Sequence, residues 1–349
     1  MSRATPSRSS ILCRTLSLAL AIVVGTFGAT QATAAACTAT ALTATDLGSY
    51  SPAAVAAAAV PALRSRAGLT CSPGLLKVLS GNYIKATFQS RNALKLAPAS
   101  GVALAYTLSA DPNGTVPIAQ NGTVDYMQND LLNALGLLGG TSADLPFFVR
   151  PIATAGLPEG VYTDRLTIKW DWYICQGLGT LGACVLGLEK DTATTVVDIT
   201  LTVAARKLVL TATGRTTWDP VNGTSFPKAV PGGKRRVTVQ LNNPDIVATD
   251  GNVTVVTPIA PRQTLALDGD GTSTGVMTFA VSPSGSAVAL SYDGPASTSD
   301  DVDFSADQGV TWTLVPGAGT AQANAIRFRP RGRVPAGATL NFSFPVAVQ

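Results

Sequence analysis

Period two runs through this chain more persistently than any other pattern, and it limits the fold to sheets. In Leu166-Thr167-Ile168-Lys169-Trp170-Asp171-Trp172 the even positions are apolar and the odd ones polar. Successive side chains of a strand point to opposite faces, so this alternation buries one face and wets the other. Val197-Asp198-Ile199-Thr200-Leu201-Thr202-Val203 repeats it, with β-branched and apolar residues on the inner face. Further strands are expected at Tyr83 to Phe88, Val102 to Leu108 and Thr115 to Ile118, punctuated by Asp111-Pro112-Asn113-Gly114 and Asn121-Gly122. Helical periodicity supports one helix, around Asp130 to Leu138, where Leu131, Leu132, Ala134 and Leu135 form a stripe and Gly139-Gly140 lets the chain leave. The fold class is therefore all-β.

Composition shifts near Ala204-Ala205-Arg206: Cys37, Cys71, Cys175 and Cys184 lie before it, and Pro, Gly, Asp and Thr are frequent after it. This marks a junction between two domains, 35–204 and 205–349. Beyond it strands are expected at Leu208 to Ala212, Arg236 to Leu241, Val253 to Thr257, Thr264 to Leu267 and Val276 to Val281. Others are expected at Ala287 to Tyr292, Thr311 to Leu314, Ala325 to Arg329 and Ala338 to Val348. Their spacing and turn chemistry suit a sandwich of antiparallel sheets. In the last strand Leu340, Phe342, Phe344, Val346 and Val348 share one face, so it is expected to be sewn into the core.

The first 34 residues read as a cleaved export signal. Arg3, Arg8 and Arg14 precede the apolar run Leu16 to Phe27, and Ala32-Thr33-Ala34 supplies small residues for cleavage after Ala34. A membrane anchor would need about 20 apolar residues, more than this run offers. A lipoprotein reading meets Ala36-Cys37 but lacks the leucine of a lipobox. With the signal gone the formal charge falls from +4 to +1, and without a long basic cluster no nucleic-acid partner is expected. The alanine-rich Ala53 to Ala62 and the run Leu131 to Leu138 are too short to span a bilayer.

The four mature cysteines fit an oxidising compartment and permit three pairings; chain proximity favours Cys37 with Cys71 and Cys175 with Cys184. Zinc ligation is disfavoured because the cysteines form no pair of CxxC knuckles and histidine is absent. That absence also removes the Ser-His-Asp and Cys-His catalytic constellations. Glu159 and Glu189 are the only glutamates, and Glu159 lies in a turn between strands with no partner that sequence identifies for glycosidase chemistry. No catalytic residue, cofactor or metal site is assigned, and the chain is read as a non-enzyme. Asp268-Gly269-Asp270-Gly271 and Asp300-Asp301-Val302-Asp303 depart from the calcium loop and are expected to be acidic turns on a solvent face. Trp170 and Trp172 are expected in a core or junction rather than on a carbohydrate platform.

Two resemblances emerge from ordered motifs. Cys37, Leu47-Gly48-Ser49-Tyr50-Ser51-Pro52, Cys71, and Leu157-Pro158-Glu159-Gly160-Val161-Tyr162-Thr163-Asp164 leading to Trp170 and Trp172 make residues 37–203 resemble the spore coat protein U domain. That family also supplies subunits of archaic chaperone-usher pili, and the form with Cys175 and Cys184 resembles the first domain of two-domain pilus-tip proteins. Residues 206–348 resemble the conserved-repeat domain of bacterial surface proteins, often called domain of unknown function 11. The matching pieces are Asp219-Pro220-Val221-Asn222-Gly223, Pro227-Lys228-Ala229-Val230-Pro231-Gly232-Gly233, Thr311-Trp312 and Pro335-Ala336-Gly337.

The resemblances imply two consecutive immunoglobulin-like β-sandwiches and an exported cell-surface structural or adhesive role, at the tip of an archaic chaperone-usher fimbria. The partners implied are a periplasmic chaperone, an outer-membrane usher, pilus subunits and abiotic or host surfaces. A non-pilus envelope protein and a carbohydrate-binding module are the alternatives. Pilus subunits of this kind resemble incomplete sandwiches that accept a strand from a partner. Only Ala35 and Ala36 would precede Cys37 after cleavage, leaving almost nothing to donate, and residues 206–349 are expected to be complete because their last strand fills its own sandwich. Apolar loops with Val55, Val60 and Leu63, and with Leu135, Leu137 and Leu138, are the candidate surface contacts.

Overall fold

The computed structural model describes residues 37–72, 81–137, 143–175, 179–180, 183–184, 187–285 and 287–349. Up to residue 203 the strands are β1 (Cys37–Ala39), β2 (Leu42–Tyr50), β3 (Leu63–Cys71), β4 (Tyr83–Ser90), β5 (Lys95–Leu96), β6 (Leu104–Ser109) and β7 (Pro117–Ile118). They continue with β8 (Thr123–Asp125), β9 (Ala143–Pro151), β10 (Gly160–Cys175), β11 (Gly179–Thr180), β12 (Ala183–Cys184) and β13 (Leu188–Val203). One sheet has the order β1-β3-β9-β6-β5 with β7 on β6, the other the order β2-β13-β10-β4-β8, and β11 pairs with β12.

The long hairpin of β10 and β13 pairs Gly160 with Val203 through to Cys175 with Leu188, and both alternating segments lie within it. Trp170 and Trp172 lie opposite Ala86 and Ile84 of β4, and all four side chains are buried. The indole of Trp170 donates from Nε1 to Thr195 Oγ1 at 2.9 Å, and that hydroxyl donates to the Ala67 carbonyl at 2.7 Å. A buried N–H is thereby satisfied, as it must be to avoid a desolvation penalty. Phe88 meets Phe147 edge to face at 5.6 Å, joining side chains of the two sheets.

Helix is scarce. Helix α1 (Pro52–Ala56) starts where Ser51 Oγ accepts the Ala54 amide at 2.9 Å and Pro52 sets the first helical φ. The helix expected over Asp130 to Leu138 shrinks to α2 (Leu131–Ala134), entered through Asp130 at φ 54. Gly136 turns the chain at φ 66, sooner than Gly139-Gly140, which lie outside the described residues.

After residue 203 come β14 (Val209–Trp218), β15 (Lys234–Asn242), β16 (Val255–Pro258), β17 (Gln263–Leu265), β18 (Thr278–Ser282), β19 (Val302–Ser305), β20 (Ala325–Phe328) and β21 (Thr339–Val348). One sheet runs β14-β15-β21-β17 with β18 also on β21, and a second runs β16-β20-β19. Strand β21 is central, with Leu340, Phe342, Phe344 and Val346 fully buried. Phe342 meets Phe328 at 4.8 Å and Phe279 at 5.3 Å. Among the described residues no ladder joins a strand before 204 to one after it, and the buried apolar residues fall into separate clusters on either side.

Two expected strands do not form. Ala287 to Tyr292 retains only an isolated bridge from Ala289 to Arg331, and Thr311 to Leu314 one from Leu314 to Phe304. Carboxylates compete for their amides: Ser291 N donates to Asp301 Oδ2 at 2.8 Å and Thr311 N to Asp307 Oδ1 at 2.8 Å. An amide held this way is unavailable to a ladder.

Candidate interaction surfaces

In the first region β13 lies inside its sheet, and β2 and β8 form the edges. Strand β2 lies parallel to β13, from Leu42 beside Val196 to Tyr50 beside Val203, so the final strand of the sheet is covered by the chain's own beginning. Cys37 stands directly opposite Cys71 across β1 and β3, and a disulfide joins them. A second disulfide joins Cys175 at the end of β10 to Cys184 in β12, nine residues on. Both cystines hold ends of strands rather than a reactive site.

The second region leaves an edge open. Leu210 and Ala212 of β14 are paired with Leu241 and Val239 of β15, which are paired in turn with Leu340 and Phe342 of β21. Side chains of directly paired residues share a face, so Leu210 and Ala212 belong to the inner, apolar row. Leu241, Val239, Leu340 and Phe342 are buried, yet Leu210 is 48% exposed and Ala212 is exposed too. A complete sandwich would cover that row. The terminal strand β21 is buried as expected for residues 206–349, whereas the edge strand β14 is exposed from Val209 to Arg215.

Aspartates organise the turns of the second region, Asp219, Asp270 and Asp301 from buried positions and Asp307 from an exposed one. The Asp219 carboxylate accepts the amides of Val221 at 2.8 Å, Asn222 at 2.7 Å and Lys228 at 2.6 Å, and the Asn222 side-chain amide at 3.0 Å. These donors, Asn222 and Lys228 foremost, hold its carboxyl far below the usual carboxylate range. Burial opposes ionisation of Asp270, but Arg236 Nε at 2.6 Å and the hydroxyl of Thr272 at 2.6 Å outweigh it and lower its pKa. Burial likewise works against Asp301, which Ser291 and Arg331 keep below its ordinary value. Asp307 is pulled down to about 2 by hydrogen bonds from Ser305 and Thr311.

These contacts correct the expectation of solvent-facing acidic turns in part: the Asp268 side chain is 74% exposed, whereas Asp270, Asp300 and Asp301 are buried. Their oxygens are occupied by amide, hydroxyl and guanidinium donors. Among the described residues no group of three or more His, Cys, Asp or Glu side chains is placed to hold a metal ion. Sequence reasoning missed their structural role, although an Asp followed two or three residues later by Thr, Asn or Gly is the available signal for such turns.

The candidate contact residues fare differently from expectation. Val55, Val60 and Leu137 are buried in the first core, so they are not surface contacts; each completes the apolar packing around α1 or α2. Leu63 and Leu135 are half-buried and pack on the same core, leaving little side chain to present. Leu138 lies outside the described residues. Trp170 and Trp172 are 2% and 3% exposed, which removes them as a sugar-stacking platform.

Residues 23–169 match the Spore Coat Protein U domain family. No curated protein matches the chain. Among solved structures, the chain is similar to the CsuC-CsuE chaperone-tip adhesion subunit pre-assembly complex from archaic chaperone-usher Csu pili of Acinetobacter baumannii. The identity is 14% and the TM-score 0.40, with 90% of this chain and 94% of that chain covered. It is also similar to a protein described as membrane anchored from Corynebacterium diphtheriae, at 10% identity and TM-score 0.22. That match covers 89% of this chain and 50% of that one.

Proposed function

We propose that this protein is an exported, non-catalytic subunit of a chaperone-usher surface fibre, occupying its tip, with cleavage after Ala34 and two sandwiches that meet near Ala204 to Arg206. The reading is supported by the spore coat match over residues 23–169 and carried by one asymmetry. The first region covers the edge of β13 with its own β2, whereas the second leaves the inner row of β14 bare at Leu210 and Ala212. A subunit that ends a fibre needs nothing beyond its closed end and must receive a strand at its open one. In this role a periplasmic chaperone would cover the open edge first, an usher would exchange it for a pilus subunit, and the first region would face the surface to be colonised.

The full chain is to be expressed in a periplasm with and without an immunoglobulin-like usher chaperone. A one-to-one complex is expected, with slowed amide exchange in β14 and its neighbours. A stable monomer obtained without the chaperone, whose β14 exchange stays unchanged when the chaperone is added, would overturn the reading.

A further inference from the structure

The loop between β14 and β15 holds two apolar side chains out in water on a fixed backbone. Phe226 is 94% exposed and Val221 is 84% exposed. The backbone beneath them is fastened by the four donors on Asp219, by the reciprocal amide bonds between Asp219 and Gly223, and by Ser225 N donating to the Asn222 carbonyl. Phe226 sits at φ 55, a region that strains a bulky L-residue and suits glycine or asparagine. In the isolated protein this residue therefore brings strain and gains no burial.

The loop and its flanking strands carry mostly cations, and the acids of the neighbouring turn, Asp268 and Asp270, are held by Lys234 and Arg236. Between Lys207 and Arg236 the only acidic residue is Asp219, which is buried. Lys234 and Arg236 are paired with Asp268 and Asp270, whereas Arg215 and Lys228 are exposed and enter no ion pair among the described residues. A protein groove generally surrounds an apolar anchor with a polar rim of mixed character. An apolar tip with unneutralised cations beside it instead complements a lipid interface, where hydrocarbon lies beneath negative headgroups.

We infer that the loop from Asp219 to Lys228 is an interfacial anchor that inserts Phe226 and Val221 into a bilayer bearing anionic headgroups, with Arg215 and Lys228 meeting those headgroups. The preformed loop lowers the ordering cost of binding, since its backbone is fixed before contact. This inference stands apart from the fibre reading, because it concerns the loop's own chemistry and holds for a tip subunit or a free envelope protein alike.

The test is flotation of the chain from Ala35 onward, without the export signal, with phosphatidylcholine vesicles, with and without phosphatidylglycerol, at low and high salt. Binding is expected only with phosphatidylglycerol and is expected to weaken with salt. Phe226→Ser should weaken it about tenfold, and Lys228→Gln about fivefold. Phe226→Gly should lose the same binding while melting at the same or a higher temperature, which separates loss of the anchor from loss of the fold. Equal binding to vesicles lacking phosphatidylglycerol, or undiminished binding by Phe226→Ser, would overturn the inference. So would self-association without lipid that Phe226→Ser abolishes, since the loop would then be a contact between copies.

Discussion

The β10–β13 hairpin runs for 16 residues on each strand, whereas after residue 204 the longest strands have 10. The first region relies on long ladders, strict alternation and two cystines. The second has shorter strands and no cysteine. Both regions build turns around buried carboxylates, Asp111 and Asp164 in the first, but the second relies on them without cystines and adds guanidinium partners at Asp270 and Asp301. Covalent closure restrains the unfolded chain whatever the pH, whereas a carboxylate-centred turn exists only while the carboxylate is ionised. The two regions should therefore fail under different perturbations.

The largest effect is expected at the first cystine. Cys37→Ala opens a closure of 34 residues and should cost about 4 kcal/mol, against about 2.5 kcal/mol for Cys175→Ala, whose closure spans nine. Thermal melts would check the order. Equal losses would show that local packing, and not chain closure, sets the value of these bridges.

Next is Arg236→Met. The Arg236 and Asp270 side chains are 12% and 1% exposed, so removing the cation strands a buried carboxylate and should cost about 3 kcal/mol. Its counterpart in the first region is Arg165 with Asp198, at 52% and 36% exposure. Water screens that pair, and Arg165→Met should cost far less than Arg236→Met. Denaturant titrations that gave the two variants similar losses would remove electrostatics as the distinguishing feature of the second region.

A smaller effect, about 1–3 kcal/mol, is expected for Thr195→Val, which leaves the Trp170 indole and the Ala67 carbonyl without their shared hydroxyl. Tryptophan fluorescence during unfolding would report it. The gentlest perturbation is acid. Asp219, Asp270, Asp301 and Asp307 all have lowered pKa values in the folded chain. Their contribution is complete above the unfolded carboxylate pKa near 4 and is lost as pH falls towards the folded values, about 2 for Asp307. Amide exchange between pH 5 and pH 2 should show the turns at 219–228 and 305–311 loosening before the 160–203 hairpin. Simultaneous loosening would erase the contrast.

The strands with strict alternation were legible because each buried side chain leaves a mark every second residue, as in Leu166 to Trp172. Ala53 to Ala62 carried no such mark, and α1 there depends on the single cap at Ser51. Val55 and Val60 looked like loop tips because sequence distance does not reveal which loop folds back on the core. The strands expected at Ala287 to Tyr292 and Thr311 to Leu314 had suitable composition, but Asp301 and Asp307 capture amides that a ladder would need. Leu210 and Ala212 also read as strand residues; that no strand covers their inner face is a property of the assembled sheet and leaves no trace in period or propensity.

The parallel seam of β2 on β13 also sets an order of events. Thr200 and Asp46, which meet across it, are 154 residues apart in the chain. A polypeptide delivered from its N-terminus presents residues 42–50 first, and their partners at 196–203 arrive only after nearly the whole region has emerged. Until then β2 has no ladder to complete, and closing so long a loop is slow compared with forming a local hairpin. A chain stopped short of residue 196 is consequently not a smaller sandwich but an unsealed one, and the last strand delivered is the one that makes the region whole.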